Sequence, residues 1–216
     1  MNWYEVFRRL ISQGDGGMTS YETWSLIIQI AAWVATLFLA FIAIWGDRIR
    51  SKWSGPKLRL FVLNSTGEVN PSSDGAPVRY YHLRVTNDRK GAPARNVRVM
   101  LTKILQLKVG GRPVDRSFSG PLQLTWQFPA FHPQTSSIGP DDVCDLGNIM
   151  QGRSFALTPY VVPNNFAGYV GANEEILVEV VAIADNGQSE PINIKIAWDG
   201  GWSDDDVEMR RHLVVK

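Results

Sequence analysis

The chain has 216 residues, with 22 Lys and Arg against 21 Asp and Glu, for a formal net charge of +1. That balance argues against a dedicated DNA-binding protein, which needs a cationic excess to displace counterions. The only cysteine, Cys144, excludes an intramolecular disulfide and a cysteine-based metal cluster, and in a β-rich domain it leans towards a reducing compartment.

In chain order, residues 2–12 read NWYEVFRRLIS, with Trp3, Phe7, Leu10 and Ile11 at helical spacing on one face. This pattern predicts a short amphipathic helix lying in the membrane interface, within an N-terminal segment 1–17. Gly14, Gly16 and Gly17 end it, and Thr19 followed by Glu22 forms a capping box that starts the next helix near Ser20.

From Trp24 to Trp45, 22 residues carry no charged side chain. At about 1.5 Å per residue such a helix covers roughly 33 Å, against about 30 Å for the hydrocarbon core of a bilayer. A tryptophan at each end suits the headgroup level. The run is longer than a signal-peptide core and leads into Gly46-Asp47-Arg48-Ile49-Arg50 rather than a small-residue cleavage site, so a retained span over 18–52 is expected. Trp24, Trp45, Arg48, Arg50 and Lys52 are the expected membrane-interface residues. Arg48, Arg50, Lys52, Lys57 and Arg59 follow the span, whereas Arg8 and Arg9 precede it. The excess of cations on the C-terminal side predicts that the N-terminus is outside and the C-terminal domain cytoplasmic. The alternative is an N-in anchor carrying an extracytoplasmic binding domain.

Ser25, Gln29, Ala32, Thr36, Ala40 and Ala43 are spaced three or four apart, which at 100° per residue confines them to an arc of about 80°. Small residues let helices approach closely in lipid, and Gln29 or Thr36 would hydrogen-bond across the contact. The expectation is a homo-oligomer formed through the span.

After Gly55-Pro56 the period changes to two. Strands are expected over 57–64, 78–87, 94–105, 122–128, 143–149, 154–162, 175–185 and 191–198, punctuated by turns at Asn70-Pro71, Asp74-Gly75, Gly110-Gly111, Gly139-Pro140 and Asn186-Gly187. Asn186-Gly187 reads as a hairpin turn. Ser203 with Asp206 suggests a short helix over 203–212 before a last strand. No helical pattern separates the strands, so the domain over 56–216 is expected to be an antiparallel sandwich or barrel.

The segments YYHLRVTN and ARNVRVMLTKI, joined by a charged Gly/Pro loop, resemble a hairpin of bacterial immunoglobulin-like sandwich domains, in which a strand ending Val-x-Asn precedes an Ala-x-Asn-Val-x-Val strand. The resemblance covers residues 78–105. It implies an immunoglobulin-like fold with adhesion, scaffolding or ligand-presenting roles, and brings no catalytic residues with it.

The residues themselves point to no reaction. His82, His132 and His212 are far apart, and there is no G-x-S-x-G, H-E-x-x-H or phosphate-binding glycine loop. His82 is expected to face outwards from its strand. Cys144, in VCDLGNI, reads as a small buried hydrophobe. Asp199, Asp204, Asp205 and Asp206 lack the spacing of a calcium loop and fit the first turn of a helix. Trp198 and Trp202 are expected to pack that helix on the sheet.

Charge is unevenly spread. Residues 79–116 hold ten Lys and Arg and two Asp, whereas 141–208 hold thirteen acids and two bases. On a hairpin, Arg84 and Arg98 would share a face with Arg89, Lys90 and Arg95 from the loop, forming a basic surface for an anionic lipid or a nucleotide. Together these features predict an all-β immunoglobulin-like antiparallel β-sandwich preceded by one transmembrane α-helix. The expected role is non-enzymatic, with no cofactor or metal: a bacterial membrane scaffold, sensor or interaction module. The alternative role is a membrane-perturbing effector of a bacterial defence or toxin system.

Overall fold

A computed structural model describes residues 19–72, 75–89, 91–107, 112–128, 130 and 136–216. The amphipathic segment expected over 1–17 lies outside them. The chain divides into two compact units, Met1–Arg50 and Ser51–Lys216.

Helix α1 runs from Ser20 to Ser54. Its start is the expected capping box: Thr19 N–H and Oγ donate to Glu22 Oε2 at 2.9 and 3.0 Å, and Thr19 Oγ accepts from Glu22 N–H at 3.4 Å. The stretch Ser20–Gly46 is long and apolar enough to span a membrane, and none of it is buried. Trp33, Leu37, Leu39 and Ile44 are each more than 65% exposed. A core helix would bury such side chains; an unburied apolar helix of this length needs lipid or another apolar surface.

The second unit is built from two antiparallel sheets, with strands β1 (Leu58–Val62), β2 (Glu68–Pro71), β3 (Pro77–Asn87), β4 (Ala94–Leu107), β5 (Val114–Asp115), β6 (Leu122–Gln123), β7 (Ser136–Ile138), β8 (Asp141–Met150), β9 (Phe155–Leu157), β10 (Tyr169–Val170), β11 (Glu174–Ala184), β12 (Gly187–Gln188), β13 (Ile192–Trp198) and β14 (Leu213–Val215). The first sheet has the order β1-β3-β8-β9-β10, with β2 continuing the β1 edge along β3. The second has the order β14-β13-β11-β4-β5, with β12 on β11 and with β6 and β7 on β4. One core lies between them. Tyr81, Leu83 and Val85 of β3 enter it from one side, and Val97, Val99, Val178, Val180, Ile194 and Ile196 from the other. The period-two alternation of these strands is what this one-sided burial requires.

The structure corrects several expectations. The segments at 78–87 and 94–105 are strands but do not form a hairpin: β3 pairs with β1, β2 and β8, and β4 with β5, β6, β7 and β11. Their connection is an arch that carries the chain from one sheet to the other. Asn87 shapes it, with Oδ1 accepting from Lys57 N–H and Arg89 N–H and Nδ2 donating to the Ala92 carbonyl at 2.7 Å. Asn96 lies at φ 52°, a left-handed conformation that asparagine tolerates, where β4 bulges against β7. Regions 122–128 and 154–162 shorten to β6 and β9. β2 escapes the pattern because it is an exposed edge ending in Pro71, a position where proline removes no ladder bond. The hairpin after β11 turns on Asp185 and Asn186, with Gly187 already paired to Ala184.

The short helix α2 is Asp206–His212, and its N-cap is Asp205 rather than Ser203, with Oδ1 accepting from Glu208 N–H at 2.8 Å. Ser203 Oγ instead accepts from Asp205 N–H one step earlier. Met209 of α2 is fully buried and Trp198 nearly so, which seats this helix on the core.

Candidate functional site

On α1 the stripe is mostly exposed, with Ser25 half-buried. Thr36 Oγ donates to the Ala32 carbonyl at 2.8 Å, so within the helix its hydroxyl is spent as a donor and keeps only acceptor capacity. The Gln29 side chain has no hydrogen-bond partner among the described residues. Trp24 is 65% exposed, and Trp45 stacks on Phe41 with ring centroids 6.1 Å apart. The side chains of Arg48, Arg50 and Lys52 lie outside what the structure describes.

Among the described residues, the expected basic surface is not assembled. Arg84 is on the outer face of the first sheet, half-buried and 3.4 Å from Asp141. Arg95 and Arg98 are exposed on β4, in the second sheet. The reason is the arch: residues that would share a hairpin face end on opposite sides of a two-layer structure. Arg89 stays in the arch and donates Nη1 to the Gly55 carbonyl at 2.8 Å. Lys90 lies outside the described residues.

Two polar nodes were not foreseen. Arg79, inside the strand expected over 78–87, occupies a core-side position and is completely buried. Its Nη1 donates to the Thr66 carbonyl and to Asp206, and its Nη2 to the carbonyls of Ser203 and Asp204 at 3.3 and 3.0 Å. This guanidinium therefore ties the β1–β2 connection and the approach to α2 onto the first sheet. Gly67 lies against it at φ 73°, where a Cβ would sit 2.8 Å from Arg79 Cγ.

His82 is the second. It is on the outer side of β3, as alternation demands, yet only 4% exposed. Tyr80 stacks beside it, Asp145 Oδ1 lies 2.8 Å from Nδ1, and Glu68 Oε2 lies 3.5 Å from Nε2. The signal was present in the sequence as a histidine on a strand, but its carboxylates come from β8 and β2, 63 and 14 positions away. Among the described residues, no three of His, Cys, Asp and Glu converge where a metal ion would sit.

The acidic group around α2 is divided among separate partners. Asp205 caps the helix, Asp206 meets Arg79, and Asp204 accepts from Trp202 Nε1 at 3.2 Å. Asp199 holds His212 Nδ1 at 2.9 Å, against the backbone of Gly201, where a Cβ would collide with the imidazole. Burial raises the Asp199 carboxyl, but the hydrogen bonds from His212 and Gly201 outweigh it and hold the group below the usual carboxylate range. This pair borders an open groove of about 770 Å³ with Leu107, Ala197 and Val214 in its lining. Cys144 is buried in the core, where burial, reinforced by Asp145 and Asp142, pushes its thiol well up; a thiol so placed is a poor nucleophile.

These features define a two-sheet antiparallel β protein with one N-terminal apolar helix fit to cross a bilayer. No protein-family model matches the chain, and no curated protein does.

Proposed function

We propose that this is a single-pass membrane protein whose C-terminal domain is a cytoplasmic, immunoglobulin-like β-sandwich acting as a non-enzymatic scaffold, sensor or interaction module. The observation that carries the reading is the unburied apolar stretch Ser20–Gly46, which leaves a bilayer as the natural environment for α1. The cationic C-terminal flank favours a cytoplasmic domain. Two facing antiparallel sheets linked by an asparagine-shaped arch support the immunoglobulin-like assignment. A homo-oligomer through Ser25, Gln29, Ala32, Thr36, Ala40 and Ala43 is part of the proposal, because Gln29 facing bare lipid is costly and a second helix would satisfy it.

The test uses the full chain in cell membranes. Retention in the pellet after alkaline carbonate washing is expected, with a C-terminal tag digested only when the cytoplasmic side is opened to protease. Release by carbonate would overturn the anchor, and digestion from outside would overturn the orientation. Cross-linking in the same membranes is expected to capture a protein neighbour through the sandwich; its absence would remove the interaction role.

A further inference from the structure

Strand β1 is an outer edge of the first sheet and β14 an outer edge of the second. The pairing of β1 with β3 fixes which of its backbone groups are used. Leu63 N–H donates to the His82 carbonyl and Asp88 N–H to the Lys57 carbonyl, at 2.9 and 3.0 Å, so the hydrogen-bonded positions are 57, 59, 61 and 63. The N–H and C=O groups of Leu58, Leu60 and Val62 therefore point away from β3, and among the described residues no strand takes them.

The same reasoning applies at β14. Lys216 and Lys195 exchange both of their backbone bonds, which leaves Val215 with its N–H and C=O turned outwards. Between the two edges runs a groove of about 570 Å³, lined by Leu60, Val62 and Leu63 from one sheet and by Ile192, Ile194 and Val215 from the other. Edge strands are normally blunted by proline, a bulge or an unpaired charge. β1 reads LRLFV, pairs without a register shift, and has its one charge, Arg59, neutralised by Asp88 at 2.7 Å.

We propose that this edge takes an extended segment of a partner protein, added antiparallel to β1 as a further strand, with an apolar side chain at every second position filling the groove. The inference rests on the reading of the domain as an interaction module and names what that module takes. Outward backbone groups recur every second residue, a repeat of about 7 Å that another strand matches and a helix or a lipid does not. Leu60 with Val62, and Ile192 with Ile194, follow the same repeat in the lining. The alternate positions of the segment stand on the exposed side of β1 beside Arg59 and Phe61, and so take polar residues.

In an antiparallel hydrogen-bonded pair the two side chains lie on the same side of the sheet. The residues of the segment that bond β1 are therefore the apolar ones, and this gives a sharp test. The probe is a fluorescent synthetic peptide of alternating valine and glutamate, measured by anisotropy against the full chain in detergent. Three controls accompany it: the same composition in two blocks, the alternating peptide N-methylated at valine, and the alternating peptide N-methylated at glutamate.

The alternating and glutamate-methylated peptides are expected to bind, and the block and valine-methylated peptides to lose at least tenfold. Val62→Pro removes a donor that β3 does not use, and is expected to weaken the alternating peptide by a similar factor. Equal binding of the block or valine-methylated peptide, no binding of the alternating peptide, or unchanged binding to a folded Val62→Pro chain would each overturn the proposal. If Val62→Pro proves unfolded by its melting curve, the methylated pair on the wild type decides. Wild-type oligomers that Val62→Pro splits, without peptide binding, would assign the edge to a second copy instead. Membrane cross-links that persist in Val62→Pro would sink this edge while leaving the interaction module standing.

Discussion

Arg79 and Asp206, 127 positions apart, form an ion pair in which the guanidinium is fully buried while the carboxylate stays 61% exposed. The arginine is therefore the member whose surroundings must be complete. Three backbone carbonyls accept from its Nη1 and Nη2, while its Nε is buried without a partner among the described residues; each carbonyl would lose a charged donor with it. Removing one partner of a buried charge pair costs about 3–5 kcal/mol. Arg79→Ala is expected at the lower end, because Asp206 can turn to water; Asp206→Asn is expected to be milder than Arg79→Ala only if the carbonyls hold the cation. Urea denaturation of the detergent-solubilised chain ranks the two. An Arg79→Ala midpoint equal to wild type would remove Arg79 as the fastening of α2.

Tyr81 gives the opposite expectation. Its ring is fully buried and packs edge-on against Phe155, yet its hydroxyl has no hydrogen-bond partner among the described residues. Leaving a buried polar group unsatisfied costs about 1–3 kcal/mol, so Tyr81→Phe is expected to leave stability unchanged or raise it. Burial, countered in part by Arg79, pushes the phenol up to about 12. A raised acid contributes its full stability below the ordinary value near 10 and loses it as pH rises towards 12. The wild type should therefore lose stability across pH 10–12 more steeply than Tyr81→Phe. Parallel melting curves would show that the phenol is not held neutral by the fold.

At the acid end one responsive group is Asp199. Its carboxyl is held low by His212 and Gly201 against the opposing effect of burial. A depressed carboxyl contributes stability above its ordinary value near 3.9, and that contribution is lost as pH falls through the lower folded value. Asp199→Asn is expected to be less stable than wild type at neutral pH, with the gap closing below about pH 4. A gap that stays constant from pH 7 to pH 3 would assign the effect to packing rather than to charge.

How far the fold was legible depends on the range of each signal. The span needed only local composition, and the long strands only period two, so α1, β3, β4, β8, β11 and β13 were within reach. The pairing of β3 and β4 was not, because alternation reports which face is buried and says nothing of the neighbouring strand. Asn87 and Asn96 were read as a motif of a hairpin, whereas Asn87 bonds across an arch and Asn96 ties a bulge of β4 to Asp185 in the turn after β11. That single difference separates Arg84 from Arg98. Arg79 and His82 were missed for a related reason: a charged residue and an imidazole on a strand look solvent-facing until their partners arrive from distant segments.

The bulge in β4 predicts an asymmetry at Asn96. At φ 52° a β-branched residue is strained, whereas glycine is at ease. Asn96→Gly loses only the bond to Asp185 and is expected to cost less than about 1 kcal/mol, whereas Asn96→Val adds about 1–2 kcal/mol of left-handed strain. Equal denaturation midpoints for the two variants would mean that this position has relaxed out of the left-handed region.

The span offers a final discrimination, because Thr36 and Gln29 stand differently towards a helix partner. The Thr36 hydroxyl already donates to the Ala32 carbonyl, so Thr36→Val removes little that a second helix would use. Gln29 has both its amide donors and its carbonyl unengaged among the described residues, and interhelical bonds of this kind contribute about 0.6–2 kcal/mol. Gln29→Leu is therefore expected to weaken assembly more than Thr36→Val, while the pair Ala32→Leu with Thr36→Leu, which separates the backbones, weakens it most. Light scattering of the detergent-solubilised chain reads all three against wild type. Three variants that assemble like wild type would move self-association, if the chain shows any, away from this face of α1.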